Sequence, residues 1–214
     1  MKTHQKRNSA PKTWPIPRKG TTFVIKKNGN GVPILVVLRD MMKLAQTRKE
    51  VKLAIHEKNL VIGTKLVNDE KKSLELFDTL TIIPEKKSYR LVLNEKGKYA
   101  IDEITDKEAK FKVSKIIGKK SMKGKKTQLN LYDGRNYLST VDCKVNDSVL
   151  IDLEKNEISK VLPLKEKANA LIIGGKHAGS KGVITSMLED KQMVELATKD
   201  QSFKVLIKQL MVTE

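Results

Sequence analysis

Gly174, Gly175, Gly179 and Gly182 fall within nine residues, with Lys176, His177 and Lys181 among them and apolar runs on either side. Glycine lets backbone amides come close to an anion, and the two ammonium groups add charge, so this loop has the chemistry of a phosphate contact. It is not the phosphate loop of a nucleotide triphosphatase. Six residues after Gly174 the chain reads Ser180-Lys181 instead of Lys-Ser or Lys-Thr, and a strand follows where that motif requires a helix. Gly118-Lys119-Lys120-Ser121 lacks the upstream glycine and fails as well. Glycines that only turn a hairpin are the competing reading of residues 174 to 182.

Charge points the same way. Residues 1 to 31 carry eight Lys or Arg and no acid, and Lys110 to Lys126 carries eight Lys and no acid, which leaves 27 of the 43 basic residues to face 25 acidic ones elsewhere. Concentrated, acid-free charge is the footprint of a polyanionic partner, above all nucleic-acid phosphate. The first block has no hydrophobic period, and Pro11, Pro15 and Pro17 bracket Trp14. It reads as a tail that cannot fold alone. Its candidate contacts are Lys2, Lys6, Arg7, Lys12, Arg18 and Lys19, with Trp14 either stacked on a base or filling a pocket in the body. In the second block Gly118 and Gly124 imply a loop between Ile117 and Thr127, a basic finger carrying Lys119, Lys120, Lys123, Lys125 and Lys126.

Other chemistry finds little support. His4, His56, Cys143 and His177 have no spacing suited to a zinc site, and no Ser or Asp is paired with a base at a recognisable interval. The expectation is a protein without catalysis, metal, cofactor or small-molecule substrate. No run of about 18 apolar residues occurs, so no membrane partner is expected either. The single Cys143 and the polar start of the sequence suggest a cytoplasmic, reducing compartment.

The elements that must position these groups follow from periodicity. Pro33 opens an amphipathic helix with Ile34, Leu35, Leu38, Met41, Met42 and Ala45 on one face. Thr47-Arg48-Lys49-Glu50 is a capping box that starts a second helix, with Val51, Ala54 and Ile55 inward. Arg48, Lys49, Lys52 and His56 share its other side and form a basic face, and Asn59 closes the helix. Leu60 to Val67 reads as a hairpin about Gly63-Thr64, followed by a strand from Thr79 to Ile83. From Ser88 the period becomes two, with seven strand candidates up to Leu162 and the strongest turn at Asp133-Gly134. Beyond Pro163 a Lys- and Glu-rich linker leads to five short strands, the size of a small barrel.

Several stretches then resemble one family. Val32-Pro33-Ile34-Leu35-Val36-Val37-Leu38-Arg39-Asp40, with Lys43-Leu44-Ala45 and Glu50-Val51-Lys52, is similar to the start of the RNA-binding module of the archaeal and eukaryotic small-subunit ribosomal protein family "S-four-e". Ala10-Pro11-Lys12-Thr13-Trp14 resembles that family's N-terminal tail. Gln128-Leu129-Asn130-Leu131-Tyr132-Asp133-Gly134-Arg135-Asn136 resembles its central β-domain, and Gly174-Gly175 to Gly182-Val183-Ile184 its C-terminal KOW motif. The segments come in the family's order over essentially the whole chain. His177 stands where Asn is common in the KOW loop, and Ser180-Lys181 where an Arg is expected.

The resemblance implies an α+β, multi-modular protein. It would comprise a basic N-terminal extension (1–31), a small αα-hairpin plus strands RNA-binding module (32–87), a central all-β domain with a basic loop (88–167) and a C-terminal KOW, SH3-like small β-barrel (168–214). Its implied role is structural: a constituent of the small ribosomal subunit that binds ribosomal RNA and neighbouring ribosomal proteins in the cytoplasm. Arg39, Arg48, Lys49 and Lys52 fall on the helical RNA-binding surface, and Arg135 and Asn136 lie just past the central hairpin. Ion pairing or capping is the competing role for Arg39, a turn role for Arg135 and Asn136, and an exposed polar position for His56. A transcription or translation factor with a KOW domain is the alternative function. An RNA-modification protein is a weaker one, since no catalytic domain is present.

Overall fold

The computed structural model describes residues 4–122, 126–139, 141–188, 192–198 and 201–213. The chain divides into two units, Met1–Val92 with Lys98–Lys110, and Leu93–Gly97 with Phe111–Glu214.

In the first unit the basic N-terminal segment is folded, contrary to the expectation of a free tail. β1 (Gln5–Lys6) pairs antiparallel with β2 (Phe23–Val24). Arg7 ties the intervening loop: Nε donates to Thr21 O at 2.7 Å, Nη1 to Pro17 O at 3.0 Å and Nη2 to Thr21 Oγ1 at 2.7 Å. The apolar surface the segment lacks is supplied by the body. Trp14 is 2% exposed, packs in one cluster with Ala10, Ile34, Leu74 and Leu91, and donates from Nε1 to Gly31 O at 3.2 Å. Of its two expected roles, the pocket filler is the one found.

β3 (Val32–Pro33) leads into α1 (Ile34–Val36), which widens to π geometry over Val37–Met41, with the Met42 amide donating to Val37 O at 2.9 Å. The expected amphipathic helix is therefore short and has no polar face. Ile34, Leu35, Val36, Val37 and Leu38 are all buried, and the turn ends before Lys43, whose φ is 57°. A β-branched run has little helix propensity of its own, so enclosure holds this segment.

α2 (Arg48–His56) starts at the expected capping box. Thr47 Oγ1 accepts from the Glu50 amide at 3.3 Å, and Glu50 Oε2 accepts from the Gln46 amide at 2.7 Å and the Thr47 amide at 3.4 Å. The Gln46 amide, and after it the Thr47 hydroxyl, which donates to Glu50 Oε1 at 2.8 Å, hold the Glu50 carboxyl below its ordinary range. The helix buries Val51 and Ile55 and closes at Lys58, in the left-handed region at φ 59°, one residue before the expected Asn59.

β4 (Leu60–Ile62) and β5 (Lys65–Leu66) form the expected hairpin around Gly63, and β6 (Ser73–Leu74) pairs with β3. β7 (Thr79–Ile82), β8 (Lys87–Leu93) and β9 (Tyr99–Ile104) complete a sheet ordered β5-β4-β7-β8-β9, and α3 (Asp106–Ala109) follows. This pairing departs from the boundary expected at residue 88. A period of two marks a strand without saying which sheet it joins, and β8 and β9 join the sheet of the helical module.

In the second unit β10 (Phe111–Ser121) is interrupted by a bulge between Ile116 and Gly118. Beyond the bulge it pairs with β11 (Thr127–Leu131), which pairs with β12 (Asn136–Ser139). Ahead of the bulge it pairs with β13 (Ser148–Asp152), which pairs with β14 (Glu157–Leu162). The expected finger from Ile117 to Thr127 begins as strand, since lysines with solvent on one side satisfy the ladder and β10 runs on to Ser121, while residues 123–125 lie outside the described residues. Ile116, Leu129, Leu131, Tyr137, Val149 and Ile151 fill the core.

A second sheet is ordered β18-β17-β16-β15-β19. It comprises β15 (Asn169–Ile172), β16 (Lys181–Leu188), β17 (Met193–Ala197), β18 (Ser202–Leu206) and, after a 3-10 turn at Ile207–Gln209, β19 (Leu210–Val212). Polar groups join it to the central sheet. Lys115 is 3% exposed and donates from Nζ to Leu210 O at 2.8 Å and to Ile207 O, while the Val212 amide donates to Ser148 Oγ at 3.0 Å. Burial pushes the Lys115 ammonium down to about 8.

Candidate nucleic-acid interface

The basic face of α2 is present. Lys49, Lys52 and His56 are exposed at three- and four-residue intervals. Arg48 is exposed too, but the nearly buried Glu70 grips its guanidinium, with Nε donating to Oε2 at 2.8 Å and Nη2 bonded to Oε1. This hydrogen bonding holds Glu70 below the usual carboxylate range and raises Arg48 above its ordinary value. Arg48 is therefore oriented and ion-paired by a residue 22 positions away that no local pattern marks. Arg39 is engaged bidentately by Asp40 at 3.1 and 2.8 Å, the ion pair weighed for it from the sequence.

On the N-terminal segment Lys6, Lys12, Arg18 and Lys19 are exposed, whereas Arg7 and Trp14 are spent on the fold. Lys2 lies outside the described residues.

The second acid-free block separates into three kinds of lysine. Lys112 and Lys115 are buried and do not project. Lys112, 1% exposed, meets Asp133, 4% exposed, at 2.8 Å, and Arg135 Nε stands 3.6 Å from the same carboxylate. Lys119 leans back, donating to Cys143 O at 2.8 Å and standing 3.4 Å from Asp142. Lys120 and Lys126 are exposed, as is Asn136 on β12. Lys123 and Lys125 lie outside the described residues.

In the C-terminal loop the glycines serve the protein's own packing, so the reason first given for them is corrected at two positions. A Cβ at Gly179, φ 92°, would fall 1.8 Å from Asn94 O, and one at Gly182 would fall 2.5 Å from Ala197 O. Gly175, φ 91°, has the Gln209 side chain 2.7 Å from the same point. His177 stacks on Phe203 with ring centroids 4.1 Å apart. What this scaffold offers outward is Lys176 and Lys181, both exposed. Among the described residues no cluster of three or more His, Cys, Asp or Glu gathers as a metal site would require.

Known proteins match this arrangement along the chain. The sequence profile described as "Ribosomal family S4e" matches residues 85–158, and the RS4NT domain profile matches residues 1–28. Small ribosomal subunit protein eS4 of Archaeoglobus fulgidus is 40% identical over 191 residues, 87% of this chain and 80% of that protein. The Nanoarchaeum equitans protein of the same name is 35% identical over 196 residues, with 88% and 84% covered. That of Methanosphaera stadtmanae is 31% identical over 219 residues, with 98% and 91% covered. The crystal structure of the 30S ribosomal protein S4e from Thermoplasma acidophilum shares the fold, with a TM-score of 0.73, 23% identity, and 85% of this chain and 93% of that one covered. With identities of this size over four-fifths or more of its relatives, the chain belongs to the S4e family, that of the small ribosomal subunit protein eS4, a family of ribosomal proteins and not of enzymes.

Proposed function

We propose that this protein is a structural constituent of the small ribosomal subunit in the cytoplasm, binding small-subunit ribosomal RNA during assembly and translation and lying against neighbouring small-subunit proteins. The names of its relatives support the subunit, and its exposed cations support the RNA. The observation that carries the reading is their dispersal. Lys6, Lys12, Arg18 and Lys19 stand on the N-terminal segment, Lys49 and Lys52 on α2, Lys120 and Lys126 around the β10–β11 connection, and Lys176 and Lys181 on the glycine loop. An enzyme gathers its groups at one cleft, whereas a protein that reads RNA by shape spreads phosphate contacts over several elements.

The modules keep their proposed roles with two changes. The helical module includes β8 and β9, and Trp14 and Arg7 act by fixing the N-terminal segment. Residues 168–214, a five-stranded antiparallel sheet, are read as the KOW, SH3-like module, with Lys176 and Lys181 toward phosphate and His177 braced on Phe203. The test is sedimentation of cell extract through a high-salt gradient. The protein should travel with small subunits in roughly stoichiometric amount; recovery only among free proteins or with polymerase would overturn the proposal.

A further inference from the structure

The register of β10, β11 and β12 sets two rows of side chains across the outer face of that sheet. Lys120 opposes Gln128, which opposes Leu138; Gly118 opposes Asn130, which opposes Asn136. The intervening Leu129, Leu131 and Tyr137 point into the core. Neither row contains an acid, and Lys120, Asn130, Asn136 and Leu138 are exposed, Leu138 to 62%.

A solvated strand face ordinarily mixes charges of both signs. Here three carboxamides stand together. Gln128 Nε2 donates to Asn130 Oδ1 at 3.0 Å, which fixes the two amides against each other and leaves Gln128 Oε1 to accept and Asn130 Nδ2 to donate outward. A Cβ at residue 118 would sit 3.5 Å from that Nδ2, so glycine there keeps the amide uncovered. Carboxamides donate and accept at once, as does a ribose 2′-hydroxyl. The minor groove of an RNA helix is wide and shallow and lined with 2′-hydroxyls and base edges, so it admits a flat polar sheet face.

We infer that the outer face of β10, β11 and β12 is a contact surface for the shallow groove of double-helical RNA. Gln128, Asn130 and Asn136 hydrogen-bond 2′-hydroxyls and base edges, Lys120 meets a phosphate, and Leu138 packs against ribose. The inference rests on the RNA-binding reading above and adds a mode of recognition that charge alone does not supply.

The test uses the full chain and two probes, deproteinised small-subunit RNA and a pair of duplexes of one sequence made as RNA and as DNA. The Asn130→Ala/Asn136→Ala double variant removes no charge and only exposed side chains, and its circular dichroism should match the parent. Its affinity for RNA should fall about tenfold, at about one lost hydrogen bond per side chain. Its preference for RNA over DNA should shrink, and the slope of log affinity against log salt should stay unchanged. Lys120→Ala should instead lower that slope by about 0.7 to 0.9 and leave the preference intact. Unchanged affinity and preference in the double variant, with parental binding normal, would overturn this inference and leave the RNA-binding reading standing. Failure of the parent protein to bind the RNA at all would overturn that reading itself.

Discussion

Replacing Lys112 with Met tests how the central hairpin is held. The Lys112 ammonium and the Asp133 carboxylate, 2.8 Å apart, are 1% and 4% exposed, so each has given up its water for the other. Removing one partner of a buried pair costs about 3 to 5 kcal/mol, chiefly because the other charge stays behind undissolved. In Lys112→Met the Asp133 carboxylate keeps Arg135 Nε at 3.6 Å and accepts the Arg135 amide at 3.1 Å, so the loss should lie near the lower end, about 3 kcal/mol. Asp133→Asn leaves the buried Lys112 ammonium facing a neutral amide and should likewise cost about 3 to 5 kcal/mol. The double variant should lose less than the sum of the two, with a coupling of at least about 2 kcal/mol. Denaturant unfolding followed by circular dichroism gives the energies. Hydrogen exchange at the Leu131 and Gly134 amides, bonded to Arg135 O and Leu131 O, locates them in the turn. A loss under about 0.5 kcal/mol in Lys112→Met, or strict additivity in the cycle, would show that the pair does not organise the turn.

Lys115 gives a pH dependence of unusual sign. Its native value of about 8 lies below its ordinary 10.5, so the folded state sheds the proton first and stability contributed by this group rises with pH between those values. Between pH 7 and 10 the parent should gain about 1 to 2 kcal/mol over Lys115→Met, less than the full shift because two carbonyls favour the ammonium; parallel stability curves would refute this. In the glycine loop, Gly179→Ala should cost about 3 kcal/mol or more, since its Cβ would overlap Asn94 O and φ is 92°. Gly174→Ala, whose nearest neighbour is 4.0 Å away, should shift the melting temperature by no more than a degree or two. Equal losses at the two positions would argue against close packing as the reason for glycine.

Where local chemistry decides an element, the sequence was enough to find it. Thr47 and Glu50 cap α2 through their own side chains, and Gly63 turns a hairpin whose register needs no outside partner. What could not be read depended on the two sides of a strand being covered by different neighbours. Phe111-Lys112-Val113-Ser114-Lys115 alternates as a half-buried strand should, yet Lys112 faces Asp133 and Lys115 faces the Ile207–Gln209 turn. Charge density in this block therefore overstated what is available to a polyanion. Arg48 was placed correctly on the exposed face of α2, but Glu70, which orients it, sits in a segment with no pattern of its own. The folding of residues 4 to 31 was hidden for a similar reason: Trp14 finds its pocket among residues from 32 to 91.

The bulge in β10 makes one uncharged residue the timing element of the strand. Residues 111 to 115 are in step with β13 and residues 118 to 121 with β11, and Ile117 is the extra beat between them. Were Ile117 instead paired in regular alternation, without the bulge, the parity of everything beyond would shift by one, sending Lys120 toward the side that holds Leu129 and bringing Lys119 out in its place. The outward presentation of charge on this arm is thus a matter of counting, and loss of the bulge there reverses it without altering a single charged residue.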